Sequence, residues 1–168
     1  MQTDMLYRST TGGLMERYPI SLRDATSADL EALSALCRRS KAVWGYDDAF
    51  LDACADELTV SYEDLLSSEV KIAQQGDTIV GVGRIELDGD QADLAALFVD
   101  PDWLNCGAGR ILFEWARATA RGRGARMMTI DSDPNAEGFY VNMGAKRVGL
   151  APSHSIPGRM LPSLELTL

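Results

Sequence analysis

LFVDPDWLNCGAGRILFEWA, residues 97 to 116, is the stretch on which the reading of this chain turns. An apolar run, Leu94 to Val99, ends at Asp100-Pro101, and a glycine-bearing loop follows. The loop passes into a segment whose Ile111, Leu112, Trp115 and Ala116 recur at helical spacing. A run apolar on both faces predicts a central strand. The helix is expected from about Gly109 to Thr119, ended by Gly122 and Gly124. A strand, a glycine loop and a helix start together make an anion site. The first N–H groups of a helix lack internal partners, and the helix dipole adds partial positive charge there. Glycine lets an oxyanion approach the backbone without a Cβ in the way, and Arg110 adds a cation one step into the helix. The absence of GK[ST] excludes a P-loop, and Leu112 stands where a Rossmann fingerprint needs its third glycine.

Working outward, the order of elements predicts a mixed sheet with helices packed on it, an α/β (α+β) architecture. Ile20–Arg23 reads as a strand and Leu30 to Arg39 as a helix. A break follows at Trp44-Gly45-Tyr46. Phe50 to Leu58 reads as a second helix and Tyr62 to Leu66 as a helical turn. Val70–Gln74 and Thr78–Leu87 form a hairpin across Gln75-Gly76-Asp77, and Gln91–Val99 completes an antiparallel meander. Strands over 125–130, 145–150 and 161–168 then flank a helix over Pro134 to Val141.

Composition narrows the function classes. The chain has 168 residues, 46% hydrophobic and 24% charged, which suffices for one core and one domain over 18–168. Residues 1–17 are polar and glycine-broken, and read as a loose arm. Met5 and Met15 follow the first Met, as in an over-long start. That segment lacks a signal peptide's apolar core, and no apolar stretch reaches membrane-span length, so the expectation is a cytoplasmic protein without a membrane partner. A net charge of -9 argues against nucleic acid, which needs clustered Lys and Arg. It is compatible with a cationic acceptor, while a solubilising acidic surface is the plainer account. Cys37, Cys54 and Cys106 are odd in number and unpaired in spacing, and a single histidine cannot complete a zinc cluster, so no metal is expected. Cys37 and Cys54 read as small core residues.

VDPDWLNCGAGR resembles the acetyl-CoA loop of GNAT acetyltransferases, V-x-P-x-x-[RQ]-x-x-G-x-[GA]. Val99, Pro101, Gly107 and Gly109 match it, and Leu104 stands in place of the usual Arg or Gln. DSDPNAEGFYVNMGAKRVG, residues 131 to 149, is similar to the family's later motif, N-x-x-A-x-x-F-Y-x-x-x-G-F. It matches through Asn135, Ala136, Phe139, Tyr140 and Gly144, with Ala145 for the common Phe. The resemblance spans about residues 20 to 150. It implies a GNAT-like twisted mixed sheet and direct acetyl transfer from acetyl-CoA to a primary amine.

The resemblance also assigns roles. The pyrophosphate meets the backbone of Asn105, Cys106, Gly107, Ala108, Gly109 and Arg110, past Leu104. The pantetheine runs along Phe98 and Val99, one of whose N–H groups polarises the thioester carbonyl. Asn135 contacts the CoA arm, and Tyr140 protonates the departing sulfur. Glu86 and Asp93 are candidates for the base, though a carboxylate on a strand is more often simply solvated, and a water relay needs no single base. Trp44 and Tyr46 either clamp the amine or pack a loop between helices. Arg159, in the loop Ser153 to Arg159, offers a cation to a substrate carboxylate, whereas His154 there reads as an exposed loop residue. Asp131 and Asp133 read as caps of the next helix. The leading acceptor is the amine of a small molecule. The alternatives are a peptide or protein amine, a non-catalytic acyl-CoA-binding module, and, more distantly, charged tRNA. The family also admits a homodimer through the terminal strands.

Overall fold

A computed structural model describes residues 19–168; the arm expected over 1–17 lies outside them. Seven strands form one sheet in the order β1-β2-β3-β4-β5-β7-β6. They are β1 (Ile20–Asp24), β2 (Glu69–Gln75), β3 (Thr78–Asp88), β4 (Gln91–Val99), β5 (Met127–Asp131), β6 (Lys146–Pro152) and β7 (Met160–Thr167). The expected mixed sheet is present, and β4 lies in the middle of it. All neighbours are antiparallel except β4 and β5.

Two helices sandwich the sheet. The helix α1 (Leu30–Ala42) turns Leu33, Leu36 and Cys37 onto one face, where they pack with Ile72, Val82 and the short helices α2 (Asp48–Ala53) and α3 (Ala55–Leu58). Next comes α4 (Tyr62–Ser67). The helix α5 (Ala108–Gly122) covers the other face with Leu112, Phe113, Ala116 and Ala120, all fully buried. Its approach is close because β3 presents glycines to it. A Cβ on Gly81 would stand 3.0 Å from Leu112 Cδ1, and one on Gly83 would stand 3.2 Å from the Trp115 ring. The final helix is α6 (Glu137–Asn142).

Strand boundaries fall within two residues of those read from sequence, and Cys37 and Cys54 are core residues, as expected. Two helix expectations need correction. The single helix over 50–58 is two, because Cys54 leaves helical geometry (φ -90, ψ 8) and shares its N–H between the carbonyls of Phe50 and Leu51. The helix expected from Pro134 starts at Glu137. Asp133 Oδ1 accepts the Asn135 N–H at 2.9 Å and holds the intervening residues in a turn. The helix expected from about Gly109 is α5, which starts at Ala108 with Gly107 as its cap at φ +90 and runs to Gly122.

Candidate active site

Strands β4 and β5 pair only from Gln91 to Asp93 with Met127 to Thr129, and then part. The register with β3 explains the divergence. Arg84 faces Ala96 and Ile85 faces Leu94, which leaves Ala95 as a bulge. A bulge bends its strand and increases local twist. From Leu94 to Val99 the backbone of β4 therefore has no strand beside it on the β5 side. A cavity of about 420 Å³ fills the gap, lined by Leu94 to Val99 on one wall and by Asp131, Asp133 and Tyr140 on the other.

At one end of the cavity lies the loop before α5. Asn105 (φ 60) and Gly107 (φ 90) turn the chain through the left-handed region, and only at Ile111 does the first helical N–H find its carbonyl, Gly107 O at 3.0 Å. The N–H groups of Ala108, Gly109 and Arg110 therefore have no acceptor within the helix. Leu104, Asn105, Gly107, Gly109 and Arg110 line the cavity, Ala108 is buried behind it, and Cys106 is partly buried in the loop. Leu104 is 40% exposed on the rim. The donor set fits a diphosphate, carried by backbone amides and not by a side chain at position 104.

Tyr140 sits on the opposite wall. Its ring is buried, packed edge-on to Phe139 and tilted against Phe113. The residue lines the cavity, and its hydroxyl has no hydrogen-bond partner among the described residues. Burial, and then the charge of Asp133, hold this phenol above the ordinary tyrosine range.

Residues 34–152 match the acetyltransferase (GNAT) domain family. The chain belongs to the GNAT acetyltransferases. Across 88% of its length, and 95% of the relative's, it is 32% identical to the peptidyl-lysine N-acetyltransferase YjaB of Escherichia coli. Its fold matches a GCN5-related N-acetyltransferase from Rhodopseudomonas palustris, with a TM-score of 0.75, 24% identity, and coverage of 93% of this chain and 100% of the other. It also matches the paia N-acetyltransferase of Thermoplasma acidophilum in complex with coenzyme A, with a TM-score of 0.72, 17% identity, and coverage of 89% and 99%. The enzyme is thus an acetyl-CoA-dependent N-acetyltransferase. Among the described residues, no helix is long and apolar enough to cross a membrane.

In the acetyltransferase, two of the three residues expected to meet the acceptor hold the fold together. Tyr46 stacks on Phe50 (centroids 4.2 Å apart) and its hydroxyl donates to Asp133 Oδ2 at 2.9 Å. Arg159 Nη2 donates to the same hydroxyl at 2.8 Å and lies over both rings. Neither Tyr46 nor Arg159 lines the cavity, so Arg159 is not free to meet a substrate carboxylate and Tyr46 is not an open clamp. Trp44, 44% exposed, does line it. Asn135 lines it too, donating to Asp133 Oδ1 and the Tyr46 hydroxyl. His154 is exposed.

Glu86 and Asp93 do not share the cavity with Tyr140. Both line a separate hollow of about 360 Å³ on the sheet, with Thr129. Glu86 is paired with Arg84 at 2.8 Å, and Asp93 accepts from Thr129 Oγ1 at 2.8 Å. Burial raises the Asp93 carboxyl above its ordinary range, against the Thr129 hydrogen bond. The carboxylates in the cavity itself are Glu57, Asp131 and Asp133. Sequence reading left Glu57 out altogether, and with it buried Lys41, whose Nζ lies 2.9 Å from Glu57 Oε1 and 3.6 Å from Asp133 Oδ2. Neither Asp131 nor Asp133 caps α6 as expected, since its N-cap is Ala136 with no side-chain bond; Asp133 instead holds the preceding turn and is the hub of this network. Helical spacing places Lys41 four residues after Cys37 on the buried stripe, and that was the available signal.

Gly107 gives a direct test of the loop. A Val there has open space but must adopt φ +90, a conformation β-branched residues avoid at a cost of ~1–2 kcal/mol. Gly107→Val is expected to weaken acetyl-CoA binding by about 10-fold in calorimetry. Unchanged affinity in a folded variant would remove the loop from the binding site. Gly109 is a poorer probe, because its Cβ would point at Phe139 (3.4 Å) and Val99 (3.6 Å), where added bulk disturbs packing.

Proposed function

We propose that this enzyme transfers the acetyl group of acetyl-CoA to the side-chain amine of a lysine in a peptide or protein. The observation that carries the reading is likeness over nearly the whole of both chains to a peptidyl-lysine N-acetyltransferase. The cavity agrees with it: Trp44 and Leu104 expose apolar surface at its rim, and the Asp131 carboxylate lines it without an ion pair among the described residues, which suits a cationic side chain carried by a larger partner. This reading replaces the small-molecule acceptor expected from sequence with the alternative weighed beside it. The amine remains a primary one.

In this account the α5 N-terminus and its loop hold the diphosphate of acetyl-CoA. The unpaired edge of β4 takes the pantetheine as a strand would, and an N–H of Phe98 or Val99 steadies the oxyanion that forms on the thioester carbon. The acceptor must lose a proton before it attacks, since its ordinary pKa is about 10.4. The ammonium proton leaves to solvent; as the C–S bond breaks, Tyr140 gives its proton to the sulfur, and the proton shed by the new amide nitrogen restores the phenol through water.

The state of Tyr140 makes the pH profile informative. A phenol held above its ordinary value keeps its proton to higher pH than a free tyrosine does. The profile of kcat/KM is expected to climb as the amine deprotonates, with no descending limb below about pH 10. A fall with a midpoint near neutral pH would place the essential acid elsewhere. Acetylation of lysine peptides, with the modified nitrogen located by fragmentation, tests the acceptor class. Activity confined to free small amines would overturn it.

A further inference from the structure

Three carboxylates line the catalytic cavity, and they are not equivalent. Glu57 is taken by Lys41 at 2.9 Å and by the Ser155 hydroxyl at 2.9 Å. Asp133 is taken by Tyr46, Arg159 and the Asn135 N–H. Asp131 alone has neither an ion pair nor a side-chain hydrogen bond among the described residues. It is the last residue of β5, paired through its backbone with Ser163 of β7, and it is exposed. On its other side the partner strand has already departed, two residues earlier, at Thr129. Its carboxylate therefore stands where the slot opens.

Two further observations bear on it. The same cavity is lined by Tyr140, a residue 7% exposed whose hydroxyl has no hydrogen-bond partner among the described residues, so the slot carries one waiting donor and one waiting anion. Three cations near the slot are already committed: Lys41 to Glu57 and Asp133, Arg159 to Asp133, and Arg84 to Asp64 and Glu86, whereas Arg110 stands at the diphosphate end of the cavity. Asp131 and Glu86 both raise the Asp93 carboxyl by their charge, and Arg84 opposes them, so Asp131 also adds negative potential on the Asp93 side of the strand.

We infer that Asp131 is the acceptor-recognition residue, whose carboxylate receives the ammonium of the incoming lysine side chain at the mouth of the slot. The inference rests on the lysine reading given above. It makes the enzyme select amines that arrive charged, and it separates the two carboxylates that build the site from the one that meets substrate.

The test is steady-state kinetics of the full chain with acetyl-CoA and a lysine peptide, for the wild type, Asp131→Asn and Asp131→Glu. Loss of a charge-assisted contact is expected to raise the peptide KM at least ~10-fold in Asp131→Asn. The KM for acetyl-CoA and the melting temperature should hold, and Asp131→Glu should recover most of the loss. The wild-type peptide KM should rise with ionic strength, and that dependence should flatten in Asp131→Asn. A wild type active on the peptide, with Asp131→Asn unchanged in KM and salt response, overturns the inference and leaves the lysine reading standing. A fall in kcat alone also overturns it, since the residue then serves the chemistry and not recognition. A wild type that acetylates other amines but leaves lysine peptides unmodified overturns the lysine reading, and this inference with it.

Discussion

Replacing Tyr140 by Phe is expected to lower turnover by ~10²-fold or more while acetyl-CoA still binds. The variant removes one hydroxyl and keeps the ring. Packing against Phe139 and Phe113 should survive, because those contacts belong to the ring. The hydroxyl contributes no hydrogen bond to the fold among the described residues, so its loss leaves no protein donor or acceptor stranded. What is lost is the proton offered to the leaving sulfur, and positioned acid catalysis is typically worth ~10²–10⁴-fold. Stopped-flow thiol release, beside calorimetry with acetyl-CoA, separates the two effects. An unchanged rate would take Tyr140 out of the mechanism, and lost acetyl-CoA affinity would make it a binding residue.

The largest effect on stability is expected from Lys41→Met. The Lys41 side chain is 9% exposed, with Glu57 at 2.9 Å and Asp133 at 3.6 Å. The cation also lies over the rings of Tyr46 and Phe50. Met keeps the length of the stem and removes the charge, which leaves two carboxylates facing each other. Breaking a buried pair from one side costs ~3–5 kcal/mol. Glu57 is about one-third exposed and Asp133 keeps Tyr46 and Arg159, so the lower end applies. At about 3 kcal/mol the melting temperature should fall by ~6–12 °C for a domain of this size. Adding Glu57→Gln should recover part of the loss, since it removes the charge left unpaired. Burial pushes both carboxyls up, but Lys41 and Ser155 hold Glu57 below its ordinary range, and Asn135 and Tyr46 do the same for Asp133. Their contribution is therefore full above about pH 5 and is lost as the pH falls below ~4, where the unfolded chain takes up protons first. A melting temperature unchanged in Lys41→Met would mean that the network carries no net stability.

The fold was legible because its signals are local. The meander, the stop at Asp100-Pro101, the glycine loop and the stripe Ile111, Leu112, Trp115 and Ala116 each act within a few residues. The placement of Tyr140 in the slot followed from the run Asn135 to Gly144. The acceptor side was not legible for the opposite reason. Tyr46 meets Asp133 across 87 residues and Arg159 across 113, so nothing near either one announces the pairing. An aromatic pair and a loop arginine looked available for substrate, whereas the fold uses Tyr46 and Arg159 on each other. Glu86 and Asp93 lay on the expected strands, but their hollow is not the one that holds Tyr140. The bulge at Ala95, which parts β4 from β5, has no marker in the run Leu94 to Val99. Gly81 and Gly83 read only as strand residues until α5 was seen to press on them.

The most direct test of the account is to incubate the purified chain with acetyl-CoA and a lysine peptide, follow thiol release, and locate the acetyl group by mass spectrometry. The account predicts one free thiol for each acetyl group formed, with the acetyl group on a lysine Nζ. Thiol release only with free small amines, while the lysine side chains stay unmodified, would contradict it.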